Sequence, residues 1–558
     1  VQDGAKLLKR IALRNLRSQV LIVISIVSLA YLYGLNSARM PTIGDEIVYM
    51  EITRATKVSG NWLPLRDPFR IWNTKPPLLF WQGMVSTPND IEAKRWQYRW
   101  PSLIWTWLVA LSLFYFMRRW LQLESKPSSP EKNWSPPLLA SVFFLGFLST
   151  YQHGRPFLMH SWEQLGLVLP AFLVLGWGLT WPIAIGIGLL WGIAALYKSF
   201  ILVFVGGLAI LVLQYFRKPR PDLMTETLPR LATAGAMGLA MFSLWFFLDP
   251  QPELIYSQFL LGENAGKLQT MSYWQGLISG VYPLTRIWLG SLVNSGVFVF
   301  VMVGLLIVLF RMRKNLPPTA RSLLMYILVF LVVYSVPSQR QENYILPVMA
   351  MWAALLARYW QDIGKVWLSL TAGFLVIYGV FVFIVLHKIS LAYEEVLVPI
   401  YTYVILGTVV LPSVLAIFSR SWAQQWLPIA GLVFCHSLSV VADSFAMRVP
   451  SSVVADFAHK TVVMPSNFRY AHSTYRFEFP GAFIMGYTSI DEALRFLDEG
   501  KIVALPASVD LQETHVGTLK KHFSWPVLRE RMSVQEINDI LTTGAFDLLL
   551  TPLQFVSH

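Results

Sequence analysis

The stretch Gly44-Asp45-Glu46-Ile47-Val48-Tyr49, continuing to Trp72-Asn73-Thr74-Lys75-Pro76-Pro77-Leu78, decides how this chain is read. An apolar segment, 18–38, comes directly before it. Two adjacent carboxylates, a tyrosine one helical turn on, and a lysine beside a proline pair therefore stand close to a bilayer surface. Ionisable groups near a membrane are costly and are generally kept for a use. Asp45 and Tyr49 are i,i+4 neighbours and share one helical face. A purely structural reading is also open: Thr42 caps a short helix whose acidic first turn suits the helix dipole. Lys75 can likewise snorkel ahead of a helix that starts with proline. The functional reading makes Lys75 a fixed cation suited to a lipid-linked phosphate. Trp72 anchors the interface in either case.

The surroundings fit a membrane setting. Hydrophobic residues make up 55% of the 558 and charged residues 14%, with 22 Trp. The mean hydropathy is +0.51. Such a composition excludes an ordinary soluble enzyme and implies a polytopic membrane protein. The net charge of +13 does not imply nucleic acid, because the Lys and Arg residues gather in short loops between apolar runs. The single cysteine, Cys435, lies inside an apolar run and leaves neither a disulfide nor a thiolate metal site within the chain. Lys6, Lys9, Arg10, Arg14 and Arg17 precede the first apolar run without a small-residue cleavage site, which predicts a retained first span.

The apolar runs predict spans at 18–38, 98–117, 136–152, 162–180, 182–198, 199–216, 231–248, 287–310, 322–338, 343–358, 366–387, 398–418 and 426–443. That is a bundle of about thirteen helices, each near the length needed to cross the hydrocarbon core. Basic residues recur in alternate loops: Arg118 and Arg119, then Arg217, Lys218 and Arg220, then Arg311, Arg313 and Lys314, then Arg358 and Lys365. They share the side of the basic N-terminus, which predicts a cytoplasmic N-terminus and a C-terminal part outside. The first outer loop, 39–97, is also basic, but long loops weigh little in that rule. Most of its cations are expected to pair with neighbouring acids such as Asp45, Glu51 and Asp67. An anionic head group or phosphate is the other reason for them.

After about residue 445 the pattern changes. Thr461–Met464, Lys501–Leu505 and Phe546–Leu550 read as strands. Ser489–Leu497 and Ser533–Leu541 read as capped amphipathic helices. The division is therefore a membrane module, 1–445, and an α/β domain outside the membrane, 446–558.

Three further polar groups fall in predicted outer loops or at outer helix ends: His153-Gly154-Arg155 through His160 and Glu163; Gly262-Glu263-Asn264-Ala265-Gly266-Lys267; and Ser338 to Tyr344 around Arg340. Each alone is an ordinary polar turn. Their common side, shared with Lys198, predicts a cavity open to the outer leaflet. His153, His160 and Glu163 could hold a divalent metal, although their spacing matches no specific metal motif.

Asp45-Glu46-x-x-Tyr49, Lys75-Pro76-Pro77-Leu78, Glu263-Asn264 with Lys267, and Arg340 with Tyr344-Ile345-Leu346-Pro347 resemble, in this order, membrane glycosyltransferases of the GT-C class. The sequence is most similar there to bacterial lipid A aminoarabinose transferases and relatives of protein O-mannosyltransferases. The resemblance covers residues 15–445. It implies a helix bundle with a large first outer loop, a soluble outer domain, and sugar transfer from a polyprenyl phosphate on the outer face of a bacterial inner membrane. Asp45 would correspond to the catalytic carboxylate, with Glu46 beside it. Tyr49 and Lys75 would belong to the donor site, with Arg155, Lys267, Arg340 and Tyr344 as further donor or phosphate contacts. His160, Glu163, Glu263 and Asn264 form a candidate second site. One departure stands out: the aspartate often found five residues after the arginine matching Arg155 is here His160, and Glu163 sits one turn along.

These residues suit an inverting displacement. Asp45 acts as base on an acceptor hydroxyl of a lipid, glycan or protein, and cations stabilise the departing polyprenyl phosphate. Two other classes compete. A lipid or sugar transporter or flippase would gather ionisable groups near the midplane. An envelope assembly protein without catalysis would need no convergent cavity.

Overall fold

Pro136, Pro182, Pro318 and Pro347 each sit in the first turn of a helix. Proline is tolerated there because the missing N–H has no intrahelical partner. The computed structural model describes residues 18–38, 40, 45–88, 93–124, 134–216, 222–268, 277, 282–392, 398–444, 449–466, 470–509, 519–528 and 532–558. Thr42, the expected cap, lies outside them; the helix Glu46–Val58 instead has Asp45 at its N-cap.

The fold is a membrane helix bundle with a small C-terminal α/β domain. Seven described helices are long and apolar enough to cross a membrane: Arg95–Leu123, Leu223–Leu248, Gly290–Arg311, Pro318–Ser335, Lys365–Ala392, Ile400–Phe418 and Arg420–Ser444. Shorter apolar helices are Ser18–Leu32, Pro136–Gly146, Trp181–Tyr197 and Ile201–Tyr215. Helices also occupy the two other predicted spans, as His160–Trp177 and Leu346–Arg358. The large side chains facing outward, such as Phe204, Phe247, Ile377 and Leu411, are apolar. A bilayer satisfies such a surface, and water would not.

Two predicted spans are not continuous helices. The one at 136–152 breaks at Phe147, whose backbone is extended, and resumes as Leu148–Gly154. The one at 287–310 is interrupted at Gly296, with φ of 61°. The breaks are neighbours, because a Cβ on Gly296 would lie 2.6 Å from the Leu148 Cβ. Glycine supplies both the positive φ and the missing atom. The expected outer loop at 262–267 is also different: Glu263 and Asn264 end a π-helical segment, Ile255–Asn264.

In the first outer loop, the helices Glu46–Val58 and Leu78–Ser86 pack together ahead of Arg95–Leu123. The C-terminal sheet has five strands: β1 (Thr461–Pro465), β2 (Phe483–Tyr487), β3 (Ile502–Pro506), β4 (Lys520–Leu528) and β5 (Leu550–Ser557). Their order is β2-β1-β3-β5-β4, parallel across β2, β1 and β3 and antiparallel from β3 to β4. Alternate residues of β1 fill two cores, Val462 and Met464 on one face and Val463 on the other. The expected strand at 546–550 is a 3-10 turn, Phe546–Leu549, and the strand starts at Leu550. Ser489 and Ser533 cap their helices as expected, each accepting the N–H three residues on.

Candidate active site

The first-loop helix begins with two carboxylates in opposite environments. Glu46 is buried and accepts two hydrogen bonds from Arg99, both of 2.8 Å, and one of 2.6 Å from the Phe157 N–H. Arg99 also donates to the carbonyls of Leu35 and Ser37. Burial pushes the Glu46 carboxyl up, but the Arg99 charge and these hydrogen bonds outweigh it and hold the group below its ordinary value. Asp45 is exposed and makes no side-chain capping hydrogen bond. Its position at the helix start is therefore not explained by capping.

Tyr49, one turn from Asp45, is buried with its ring edge against Phe80, centroids 5.8 Å apart. Burial pushes its hydroxyl well above the ordinary range, and the charges of Asp45 and Glu263 add to that. Tyr49 thus feels both the first-loop acid and an acid from the π-helical segment, 218 residues further along the chain. Glu263 pairs with Lys75. Both side chains are part-exposed, so the ion pair meets the exterior rather than the core. Asn73 holds the approach to Lys75: its N–H donates to Gln258 Oε1, and its Nδ2 donates to Asp249 Oδ2. Ser199 donates to Asn264 Oδ1 at 3.2 Å, and Asn264 Nδ2 donates to the Phe259 carbonyl.

A second charged cluster lies at the head of the helix His160–Trp177. Glu163 is fully buried, and its Oε2 meets Lys198 Nζ at 2.5 Å and His160 Nδ1 at 3.0 Å. Its Oε1 has no hydrogen-bond partner among the described residues. The His153 and His160 rings meet edge to face, centroids 5.0 Å apart. Lys198 also stands 5.4 Å from the centre of the Tyr344 ring. Burial, then Glu263 and Glu163, pushes the Tyr344 hydroxyl up to about 12. Tyr344 therefore stands beside the Glu163–Lys198 cluster. Among the described residues, no group of three His, Cys, Asp or Glu is arranged to hold a metal ion.

Two residues expected as phosphate contacts donate to protein groups. Arg155 is buried and donates to the carbonyls of Tyr31 and Tyr33 and to Ser439 Oγ, with its guanidinium over the Tyr151 ring. It ties the first helix to the last. Arg340 is also buried and donates to the carbonyls of Ser335 and Tyr282. The Lys267 side chain lies outside the described residues.

An apolar cavity of about 380 Å³ runs along the helix Leu78–Ser86, lined by Leu78, Trp81, Gln82, Val85, Trp105 and Tyr197, among others. Its floor is the helix that begins directly after Lys75-Pro76-Pro77. Gln82 Oε1 accepts from Trp105 Nε1 and from the Tyr197 hydroxyl, which fixes that wall. The sequence reading did not pick out Arg99, Gln258 or Gln82. Arg99 stands at the start of an expected span, just after a basic pair, and nothing local separates it from those neighbours.

This architecture, a bundle with juxtamembrane first-loop helices and a small sheet domain, is the fold of the GT-C glycosyltransferases. ArnT from Cupriavidus metallidurans bound to undecaprenyl phosphate aligns with a TM-score of 0.60 at 13% identity, over 96% of this chain and 97% of that one. ArnT in the apo state aligns with a TM-score of 0.57 at 12% identity, over 96% and 98%. The Archaeoglobus fulgidus oligosaccharyltransferase in the apo form aligns with a TM-score of 0.42 at 13% identity, over 84% and 64%. No family model and no curated protein matches the sequence.

Proposed function

We propose that this chain is an integral membrane glycosyltransferase that moves a sugar from a polyprenyl phosphate to an acceptor on the outer face of the membrane. The observation that carries the reading is the part-exposed Lys75–Glu263 pair, which joins the first outer loop to the π-helical segment Ile255–Asn264. A cation at a membrane surface, held by a carboxylate that can give it up, suits a phosphate that arrives and leaves. The undecaprenyl phosphate bound to ArnT, which shares this fold, supports the same donor class. The cavity along the helix that follows Lys75-Pro76-Pro77 offers an isoprenoid chain an apolar wall.

In this mechanism the donor phosphate displaces Glu263 from Lys75. Asp45 accepts the proton of an acceptor hydroxyl as its oxygen attacks the anomeric carbon. The carbon–oxygen bond to the phosphate breaks, and Lys75 takes up the charge that builds on it. The configuration inverts. Glu46 is not the base here, because Arg99 and the Phe157 N–H occupy its oxygens. Arg155 and Arg340 frame the bundle, and Glu163 holds Lys198 beside Tyr344. The domain division near 445, the cytoplasmic N-terminus and the outer sheet domain belong to the same proposal.

Mass spectrometry of lipids, glycans and envelope proteins from a deletion strain tests the reading. The expected result is loss of one sugar from one product, restored by the wild-type chain and not by the Lys75→Ala variant. An unchanged envelope, together with no binding of undecaprenyl phosphate to the purified protein, would refute it.

A further inference from the structure

The sheet domain reaches the first-loop helix through the 3-10 turn Ala471–Phe477 and its flanks. Arg476 Nη2 lies 3.6 Å from Glu51 Oε1, and Glu51 is a buried residue of the helix Glu46–Val58. Arg54 pairs with the same carboxylate at 2.6 Å. Beside this contact, Arg95 donates to Glu478 at 3.0 Å and to the Thr474 carbonyl at 2.8 Å, with its guanidinium 4.3 Å over the Phe477 ring. Phe69 of the first loop stacks on Tyr470, centroids 6.1 Å apart. The turn is therefore gripped by three parts of the first outer loop and the span that follows it.

The same domain is anchored elsewhere. Ile540, Phe546 and Leu550 pack with Val385, Leu386, Ile389 and Leu406 of the helices Lys365–Ala392 and Ile400–Phe418. A body held to the late spans thus holds a helix of the first loop. Glu51 lies six residues from Asp45, about 9 Å along the helix axis. At the head of that helix, Glu46 is bound to Arg99 of the span Arg95–Leu123. The two grips together fix both the tilt and the rotation of the helix. Buried ion pairs add little net stability compared with apolar packing, and their best-attested use is to specify one geometry.

We propose that Arg476 is a positioning residue: through Glu51 the sheet domain sets the orientation of the helix Glu46–Val58 and so aims Asp45 at the donor. This rests on the reading of Asp45 as the base. The sheet domain then takes part in catalysis without contributing a group that touches substrate.

The test compares full-length Arg476→Gln, Arg476→Lys and Asp45→Asn in detergent, with two readouts. The first is hydrogen exchange at the amides of Tyr49, Met50 and Glu51. The second is transfer from a panel of undecaprenyl-phosphate sugars. Arg476→Gln is expected to speed that exchange about tenfold and to lower kcat about tenfold, with the donor KM within twofold. Arg476→Lys should keep at least half of kcat, because it restores the charge. Asp45→Asn should lose transfer with no change in exchange. Wild-type exchange and kcat in Arg476→Gln would overturn the proposal, as would a lysine variant no better than the glutamine one. If Arg476→Gln does not fold, Glu51→Gln, which removes the other partner of the clamp, carries the same two readouts, and no change in either overturns it. If Asp45→Asn keeps full transfer, the base assignment fails, while the exchange result still reports whether the clamp exists.

Discussion

The Lys75–Glu263 pair gives the sharpest quantitative expectation, because its two ends should act in opposite directions on donor binding. In the mechanism above, Lys75 exchanges a protein carboxylate for a phosphate. A hydrogen bond to a charged group contributes about 1.5–3 kcal/mol. At about 1.4 kcal/mol per factor of ten, Lys75→Ala should weaken binding of undecaprenyl phosphate by roughly 10- to 100-fold. Glu263 competes with the phosphate for the same ammonium. Both side chains are part-exposed, and exposed pairs are worth about 1 kcal/mol or less. Glu263→Gln should therefore tighten binding by up to about fivefold. Thermophoresis or calorimetry of the purified variants with undecaprenyl phosphate measures both. Unchanged affinity in Lys75→Ala would return that lysine to a snorkelling role. Weaker binding in Glu263→Gln would mean that Glu263 holds Lys75 in place rather than competing for it.

Removing one partner of the buried Glu46–Arg99 pair should be costly, about 3–5 kcal/mol for Glu46→Ala, seen as a lower melting temperature in detergent. The Glu46 carboxyl is held below its ordinary value of 4.5 in the folded chain. Its stabilising contribution is complete above the unfolded value and fades as pH falls through the folded one; Glu46→Gln should therefore flatten the acid limb of the stability profile, and an unchanged limb would contradict the shift. Glu163→Gln leaves the Lys198 ammonium short of its buried counter-charge and should cost more transfer than His160→Ala, because His160 shares one oxygen of Glu163 while Lys198 depends on its charge; equal losses would argue for a joint site. A reporter enzyme fused after Ser557 should be active outside the cytoplasmic membrane, and activity inside would overturn the orientation.

Much of the bundle was legible because a bilayer demands long apolar runs, and these are visible without any knowledge of packing. Breaks in the runs were not. Phe147 is an apolar residue within an apolar run, and the neighbour of its break, Gly296 against Leu148, comes from a distant part of the chain. The site shows the same contrast. The Asp45-Glu46-x-x-Tyr49 spacing puts Asp45 and Tyr49 on one face, which adjacency in sequence can establish. The division of labour between Asp45 and Glu46 depends on Arg99 and the Phe157 N–H, which arrive from other elements. For the same reason the carbonyl partners of Arg155 and Arg340 are not legible in sequence: they come from Tyr31 and Tyr33, and from Ser335 and Tyr282. Lys75 was read with a phosphate as its partner, and Glu263, its protein partner, came from a segment expected to be a loop. In the C-terminal domain, β2 and β4 went unseen, since Gly486 and Pro526 dilute their strand patterns.

The most direct test of the central claim is the rate of sugar transfer by Asp45→Asn with a hydroxyl acceptor. Asp45 is exposed and makes no capping hydrogen bond, so asparagine should leave expression, melting temperature and undecaprenyl phosphate binding nearly unchanged. General-base catalysis contributes about 10²–10⁴-fold, and the variant should lose transfer by that factor. A well-folded Asp45→Asn protein that binds the donor and transfers sugar at the wild-type rate would contradict the account.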